Sequence, residues 1–399
     1  MNVLITGADG FLGKNFKMEL YNIADGKDTS FSIDQDITVF ECNSNTKDDL
    51  LRDYCAKADI IYHFAAVNRT PNKEDFEKVN VGFTKKLIEY LEQNDKHNKI
   101  IFASSLQATL EGRFEGSEYG KSKKAAEEIL KEHADRTKNE VIIYRFPGMF
   151  GKWCKPNYNS VVATFCHNIS HDLKIVVNDA STEIELVYID DVMNEMVMAL
   201  KDEEHIIDLN QKDAAWKYCQ VSQSYMVSIG ELADMIYGFK ELRRNLALPD
   251  VDNSFIRKMW ATYLSYLPEN EFSYPLKMNV DVRGSFTEIF KTAGQGQISV
   301  NISKPGITKG QHWHHSKNEK FVVVAGKALI QFRKVGLDEE GNKYPVIDYH
   351  VSGEKIEVVD IPTGYTHNII NEGETDLVTV MWASEIFDAN KPDTFAEVV

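Results

Sequence analysis

Residues 2–13 read Asn2-Val3-Leu4-Ile5-Thr6-Gly7-Ala8-Asp9-Gly10-Phe11-Leu12-Gly13, a short apolar run entering a turn with three glycines. An amphipathic stretch to Leu20 follows. An apolar strand, a glycine turn and a helix in that order are the opening of a βαβ unit. Glycines at such a turn let the backbone approach an anionic group, and the helix N-terminus supplies N–H donors and the positive end of a dipole. A glycine triplet alone is a weak signal, because a plain strand-to-helix turn reads the same way.

Working outward, ITVFE (37–41), DIIYHFA (59–65), KIIFASS (99–105) and VIIYRF (141–146) alternate with helical segments such as 76–92. Near-continuous apolar strands between helices predict a parallel, doubly wound Rossmann-type sheet covered on both faces. From about Ser273 the texture changes. QISVNI, KFVVVA, KALIQFR, KIEVVDI and DLVTVMW follow one another with Gly, Pro, Asn and Asp between them, which predicts an all-β antiparallel barrel. The expected organisation is an α/β domain over 1–245, an aromatic, partly helical connector over 246–272, and the barrel over 273–399.

A length of 399 residues suits two or three domains, and 43% hydrophobic with 27% charged residues describes a globular chain. The formal charge of −16 argues against nucleic acid as a partner. No apolar run approaches the roughly 20 residues of a membrane helix, and the N-terminus does not read as a secretion signal. Five cysteines without a Cys-x-x-Cys pair fit a reducing compartment, so a cytoplasmic protein with no membrane span is expected.

Two groups of residues carry chemistry. In Tyr119-Gly120-Lys121-Ser122-Lys123, Tyr119 and Lys123 lie four apart and stack on one helix face. An ammonium beside a phenol favours tyrosinate, so Lys123 is expected to lower the Tyr119 pKa and equip it to protonate a carbonyl oxygen. Ser105 ends strand KIIFASS and is placed to bond the same oxygen. Farther on, Gly306, His312-Trp313-His314, Glu319 and Gly326 form one block, and Pro362, Gly364, His367 and Asn371 another. His312, His314, Glu319 and His367 are a ligand set for Zn²⁺, or for Fe, Mn or Ni. On a strand, His312 and His314 share a face.

The first group resembles the extended short-chain dehydrogenase/reductase family that acts on sugar nucleotides, over roughly residues 1–240. The likeness rests on the TGxxGxxG turn, Asp59–Ala66, Asn80, Ser105, Tyr119, Lys123, Arg145 and Tyr188-Ile189-Asp190-Asp191. It implies Tyr119 as general acid, Ser105 as its helper and Lys123 on the nicotinamide ribose. Gly7, Gly10, Phe11, Leu12, Gly13, Asn43, Ser44 and Ala65 complete the cofactor site with Tyr119 and Lys123. Asn43-Ser44 replaces the acid that would take a ribose 2′-OH, which favours NADPH and leaves NADH as the other option. Gly148 stands where many members have an asparagine that contacts substrate.

The second group resembles the two-motif signature of the cupin superfamily, with a departure upstream of Pro362. Asp281–Glu288, Gln297–Ser303 and Lys309–His312 are similar to the deoxysugar 3,5-epimerases, themselves cupins. There the residue at the His312 position removes a proton beside a 4-keto group, and a basic residue at the Lys309 position assists. One imidazole nitrogen cannot be both ligand and free base. With the ligand set complete, His312 is read as a ligand, and the base is left open between His315 and a metal-bound water.

Taken whole, the chain resembles the reductase–cupin fusion enzymes of capsule and O-antigen synthesis, on the route to UDP-N-acetyl-L-fucosamine. The likeness is carried by FGKWCKPNYNSV (150–161), TYLSYLP (262–268), FSYPLKMNV (272–280), NISKPGITKG (301–310) and HWHH.KNEKF (312–321). It implies that the cupin epimerises C3 of a UDP-2-acetamido-2,6-dideoxy-4-keto-hexose. The reductase then reduces C4 with NADPH to UDP-2-acetamido-2,6-dideoxy-L-talose. Zinc and a homodimer are implied with it. The alternative expectation is a reductase alone, with the barrel as a non-catalytic dimerisation module.

Overall fold

The computed structural model describes residues 1–33, 36–94, 96–211, 214–292, 294–390 and 392–399. In the first half the strands are β1 (Asn2–Thr6), β2 (Thr38–Cys42), β3 (Ile60–His63), β4 (Lys99–Ser105), β5 (Val141–Phe146), β6 (Gly148–Phe150), β7 (Glu183–Tyr188), β8 (Trp216–Cys219) and β9 (Tyr225–Ser228). The helices are α1 (Phe11–Ala24), α2 (Asp48–Lys57), α3 (Phe83–Glu92), α4 (Glu118–Thr137), α5 (Val161–Ser170), α6 (Ile189–Leu200), α7 (Ile229–Arg244) and α8 (Ser254–Leu264). A π-helical stretch, Phe76–Gly82, runs directly into α3.

Among the described residues, one sheet has the order β2-β1-β3-β4-β5-β8 with every pairing parallel. Val3, Ile5, Tyr62 and Tyr144 pack on one face with Phe16, Leu20, Met193 and Met196. Leu4, Ile61, Ile100 and Phe102 pack on the other with Leu51, Leu87, Leu91 and Leu130. Burial on both faces explains why these strands read as unbroken apolar runs, each buried Leu or Ile contributing about 1.5–3 kcal/mol. The strand order reverses between β1 and β3, because the chain leaves β1 for β2 on one side and returns as β3 on the other. Ligands of open α/β sheets bind beyond the carboxyl ends of the strands at such a point. A smaller sheet, β6-β7-β9, lies outside the sequence expectation.

The second half supplies β10 (Met278–Asp281), β11 (Gly284–Thr292), β12 (Gly296–Ser303), β13 (Thr308–Trp313), β14 (Glu319–Ala325), β15 (Lys327–Lys334), β16 (Ile347–Ser352), β17 (Val358–Ile361), β18 (Tyr365–Asn371), β19 (Leu377–Ala383) and β20 (Phe395–Ala396). They form two antiparallel sheets, β10-β11-β12-β19-β14-β17 and β16-β15-β18-β13-β20. The fold class is thus as expected: a Rossmann-type α/β sheet followed by a cupin-like all-β double sheet. Phe321, Val323, Ile330, Phe332, Ile361 and Ile369 fill the apolar part of this half.

Strand β12 inverts the usual alternation. Besides Gly296, its buried residues are Gln297, Ser299, Asn301 and Ser303, while Ile298, Val300 and Ile302 between them are only half-buried. The polar half of that strand therefore faces inward. By contacts the chain divides into two compact units, Met1–Tyr237 with Lys258–Leu267, and Gly238–Arg257 with Pro268–Val399. The end of α8 belongs to the first unit. Tyr263 is buried there, the Tyr266 hydroxyl donates to the Cys154 carbonyl at 2.6 Å, and the Ser170 hydroxyl donates to the Tyr266 carbonyl at 2.8 Å. All five cysteines are free thiols, and among the described residues no helix is long and apolar enough to cross a membrane.

Candidate active site and metal centre

Gly7 follows β1 at φ +71°. A Cβ there would meet the Ala65 nitrogen at 2.8 Å and its Cα at 2.9 Å, so only glycine lets the turn close on the chain leaving β3. A Cβ on Gly13 would lie 2.2 Å from the Gly7 carbonyl oxygen, so Gly13 seats α1 against the same turn. Gly10 caps α1, the first turn carries Phe11 and Leu12, and no acidic residue lies there. The first N–H groups of a helix have no helical acceptor. These features build an anion site at the point where the strand order reverses.

The end of β2 is polar and crowded. The Asn43 amide donates to Asp9 at 2.8 Å, and Lys17 donates to both Asp9 (3.2 Å) and Glu41 (2.8 Å). The Tyr21 hydroxyl donates to Glu41 at 2.6 Å. Ser44 lies in the turn that follows β2.

Ser105 ends β4, and its hydroxyl caps the next turn by accepting from the Gln107 N–H at 3.2 Å. The start of α4 is pressed on that turn. Ser117 accepts from the Gly120 N–H at 3.0 Å and donates to the Gln107 side chain at 2.8 Å. A Cβ on Gly120 would stand 2.2 Å from the Gln107 carbonyl oxygen. Tyr119 is thereby brought to Ser105. A second clamp comes from Asn80 on the π-helical stretch. It accepts from the Val67 N–H at 2.8 Å and donates to Ser122 at 2.9 Å, and Ser122 donates to the Tyr119 carbonyl at 2.8 Å.

Burial pushes the Tyr119 phenol up to about 12; the Ser105 hydroxyl pulls it down, and Tyr158 adds to the rise. Lys123 is itself buried, with its Nζ 4.0 Å from the centre of the Phe102 ring. Burial brings its ammonium down to about 7, against the pull of Glu127. Glu127 is fully buried and anchors this wall, accepting from Arg145 at 2.6 Å and from Tyr218 at 2.8 Å. Gly148 sits against Leu186 and Glu185, with room for a Cβ only at 3.0 Å.

In the barrel, His312, His314, Glu319 and His367 converge, with one ligand atom from each inside 4.8 Å of the others. His312 faces His367 across the β13–β18 pairing, Glu319 comes from the opposite sheet, and His314 lies just past β13. A bulge at Gln311, at φ +63°, lets Lys309 and His312 both pair with inward residues of β18. The Glu319 Oε2 lies 3.4 Å from the Nε2 of both His314 and His367. The Nε2 of His314, both nitrogens of His367 and the Oε2 of Glu319 are buried with no hydrogen-bond partner. Leaving a buried polar atom bare costs about 1–3 kcal/mol, and coordination of a cation would remove that penalty at several atoms together. Burial takes His312 down to about 4, with His367 acting in the same direction. Burial opposes the Glu319 charge, yet His314, His367 and Lys317 hold it well below the carboxylate range. Three imidazoles and a carboxylate suit a transition metal.

His315 is not brought into this group. It is exposed, with its ring 4.5 Å from Trp313 and 4.8 Å from Phe395. Lys309, expected only to assist, and the polar residues around it border a cavity instead. Lys309 donates to Asn301 at 2.7 Å and to the Ile302 carbonyl at 2.9 Å, and burial lowers its pKa. Asp281, Arg283, Phe286, Asn301 and Lys309 border a cavity of about 520 Å³. The polar alternation of QISVNIS was the available signal, read only as a strand.

The chain belongs to the NAD dependent epimerase/dehydratase family, which it matches over residues 3–210. Residues 279–395 match the polysaccharide biosynthesis C-terminal domain. The UDP-2-acetamido-2,6-beta-L-arabino-hexul-4-ose reductase of Pseudomonas aeruginosa is 39% identical over 396 residues, 99% of this chain and 98% of that one. The crystal structure of the capsular polysaccharide assembling protein CapF from Staphylococcus aureus is 46% identical, covers 100% of both chains and superposes with a TM-score of 0.87. The spore coat polysaccharide biosynthesis protein SpsL of Bacillus subtilis is 24% identical over 123 residues, 30% of this chain and 81% of that protein.

Proposed function

We propose that the chain is a bifunctional sugar-nucleotide enzyme of capsule or O-antigen synthesis. The barrel, assigned to 273–399, inverts C3 of a UDP-2-acetamido-2,6-dideoxy-4-keto-hexose. The reductase, assigned to 1–245, reduces the C4 ketone to give UDP-2-acetamido-2,6-dideoxy-L-talose. One observation carries this reading: a Ser105–Tyr119–Lys123 group beside a glycine turn shares a chain with an inward His/His/His/Glu set and a polar barrel wall. The named activity of the Pseudomonas relative supports the reductase half. Both halves need the same group, since a C4 ketone acidifies the C3 proton and also accepts hydride.

NADPH supplies the hydride when bound. Tyr119 would give its proton to the ketone oxygen as C4 is reduced, with Ser105 orienting the exchange. The choice of NADPH over NADH is supported by Glu41, whose carboxylate is already taken by Lys17 and Tyr21, and by the amide of Asn43 beside it. In the barrel, His312, His314, Glu319 and His367 would hold zinc, which would supply Lewis acidity. The base is assigned to Lys309, inward-facing and lowered by burial, in preference to exposed His315. A barrel serving only for dimerisation has no need of several bare ligand atoms, so that alternative is not favoured. Exposed Met278, Val280 and Val282 along and beside edge strand β10 support a homodimer, and five free thiols support a cytoplasmic setting.

The test is NMR analysis of the 4-keto sugar nucleotide in D₂O. Tyr119→Phe should lose cofactor oxidation by about 10²–10⁴-fold and keep deuterium uptake at C3; His367→Ala should lose that uptake. Wild-type turnover in Tyr119→Phe, or full uptake in His367→Ala, removes the corresponding half of the assignment.

A further inference from the structure

We propose that Asp393 is the positioning residue that shapes the ligand loop and fixes the tautomer of His314, an inference that rests on the metal reading of the barrel site. Residues 314–319 carry two of the four ligand-type side chains, His314 at one end and Glu319 at the other. Three of the four N–H groups between them converge on one carboxylate. His315 donates to the Asp393 Oδ1 at 2.9 Å, and Ser316 and Lys317 donate to its Oδ2 at 2.7 and 2.8 Å. The Ser316 hydroxyl adds a fourth bond at 3.1 Å. Successive amides pointing into one concavity form an anion site, and here the anion comes from the chain itself. Burial opposes the Asp393 charge, but these donors hold the carboxyl well below its usual range.

The same residue acts on the ligand directly. The Nδ1–H of His314 donates to the Asp393 carbonyl oxygen. With the proton kept on Nδ1, the Nε2 of His314 carries the lone pair, and it is this atom that faces Glu319 at 3.4 Å. A bond of this kind to the far nitrogen orients an imidazole ligand and raises its basicity. The segment bearing Asp393 is in turn fastened to the ligand strand. Lys317 donates to the Thr394 hydroxyl at 3.1 Å, β20 pairs with β13 at Trp313↔Phe395 and His312↔Ala396, and the Val399 N–H donates to the Gln311 side chain at 2.8 Å. A residue 79 positions from His314 therefore governs both the loop between two ligands and the protonation of one of them.

The test uses the full-length chain and zinc alone. Asp393→Asn keeps the backbone carbonyl on His314 but weakens the carboxylate's hold on the 315–317 amides. In competition with a chromophoric chelator, it should bind zinc more weakly than wild type by about 10-fold or more, the scale on which groups behind the ligands act. Thr394→Val cuts a neighbouring contact and leaves the carboxylate, and should change the affinity less than about two-fold on the same scale. An unchanged zinc affinity in Asp393→Asn overturns the proposal, and so does an equal loss in Thr394→Val, which would assign the effect to packing of the tail. Wild-type protein that binds no zinc overturns the metal reading instead. The tautomer is read separately, and also decides should Asp393→Asn fail to fold: with labelled histidine in zinc-free wild type, NMR should find the His314 proton on Nδ1, and a proton on Nε2 refutes the assignment.

Discussion

Replacing Gly120 by alanine sets a common helix-stabilising change against a backbone contact. Alanine is normally the better helix residue by about 0.8–1 kcal/mol. At Gly120, however, the added Cβ would lie 2.2 Å from the Gln107 carbonyl oxygen and 2.9 Å from its carbon. Carbon and carbonyl oxygen ordinarily approach to about 3.3–3.6 Å, so α4 and the turn after Ser105 must separate by roughly 1 Å. Overpacking of this sort costs about 1–3 kcal/mol, which reverses the helix gain and lowers the melting temperature by about 2–4 °C per net kcal/mol. The same separation moves Tyr119 from Ser105, and a misplacement of about 1 Å can reduce turnover about 10²-fold. Gly238→Ala is the matched control. That glycine lies within α7, and a Cβ there meets nothing within 4 Å, so the change should stabilise by up to about 1 kcal/mol. Melting curves and the absorbance of the reduced cofactor measure both effects. A Gly120→Ala protein that melts higher than wild type and turns over normally would refute the reasoning.

His63, held by the Thr6 and Thr84 hydroxyls at 2.8 and 2.9 Å, is lowered by burial to about 3 from an ordinary 6.5, with Lys123 acting in the same direction. Between those values the unfolded chain takes a proton that the folded chain refuses. The contribution of His63 is thus complete above pH 6.5 and declines as pH falls toward 3. Urea unfolding at pH 7, 6 and 5 should show that decline, and His63→Asn should flatten it; parallel slopes would count against the assignment. Glu319→Gln should lose bound zinc measured by elemental analysis, about 10-fold or more in affinity, and retention at full stoichiometry would exclude the carboxylate as a ligand. Lys309→Met should reduce C3 deuterium uptake by about 10²-fold or more with zinc content unchanged, and full uptake would return the base to another residue.

The parallel strands were legible because burial on both faces leaves the plainest mark a strand can carry, an unbroken apolar run such as Ile60–Tyr62. The glycine turn was legible because only Gly7 tolerates its contact with Ala65. The four ligand-type residues stood out by chemistry, since few roles other than coordination gather three histidines and a glutamate. What escaped depends on three-dimensional placement. Nothing near Asp393 in the chain marks it as a partner of His314. The burial of Tyr119 and Lys123, which pushes the phenol up and the ammonium down, does not show in their spacing. Strand β12 was legible as a strand but not its facing, because alternation alone does not say which side is the interior.

That inverted strand gives the barrel two unlike ends. Phe321, Ile330, Ile361 and Ile369 make a dry floor, while Gln297, Ser299, Asn301 and Ser303 make a wall able to hold water or the hydroxyls of a sugar. Variants chosen only for heat resistance should therefore accumulate aliphatic residues on β12, and each such gain would turn a wettable wall into more floor.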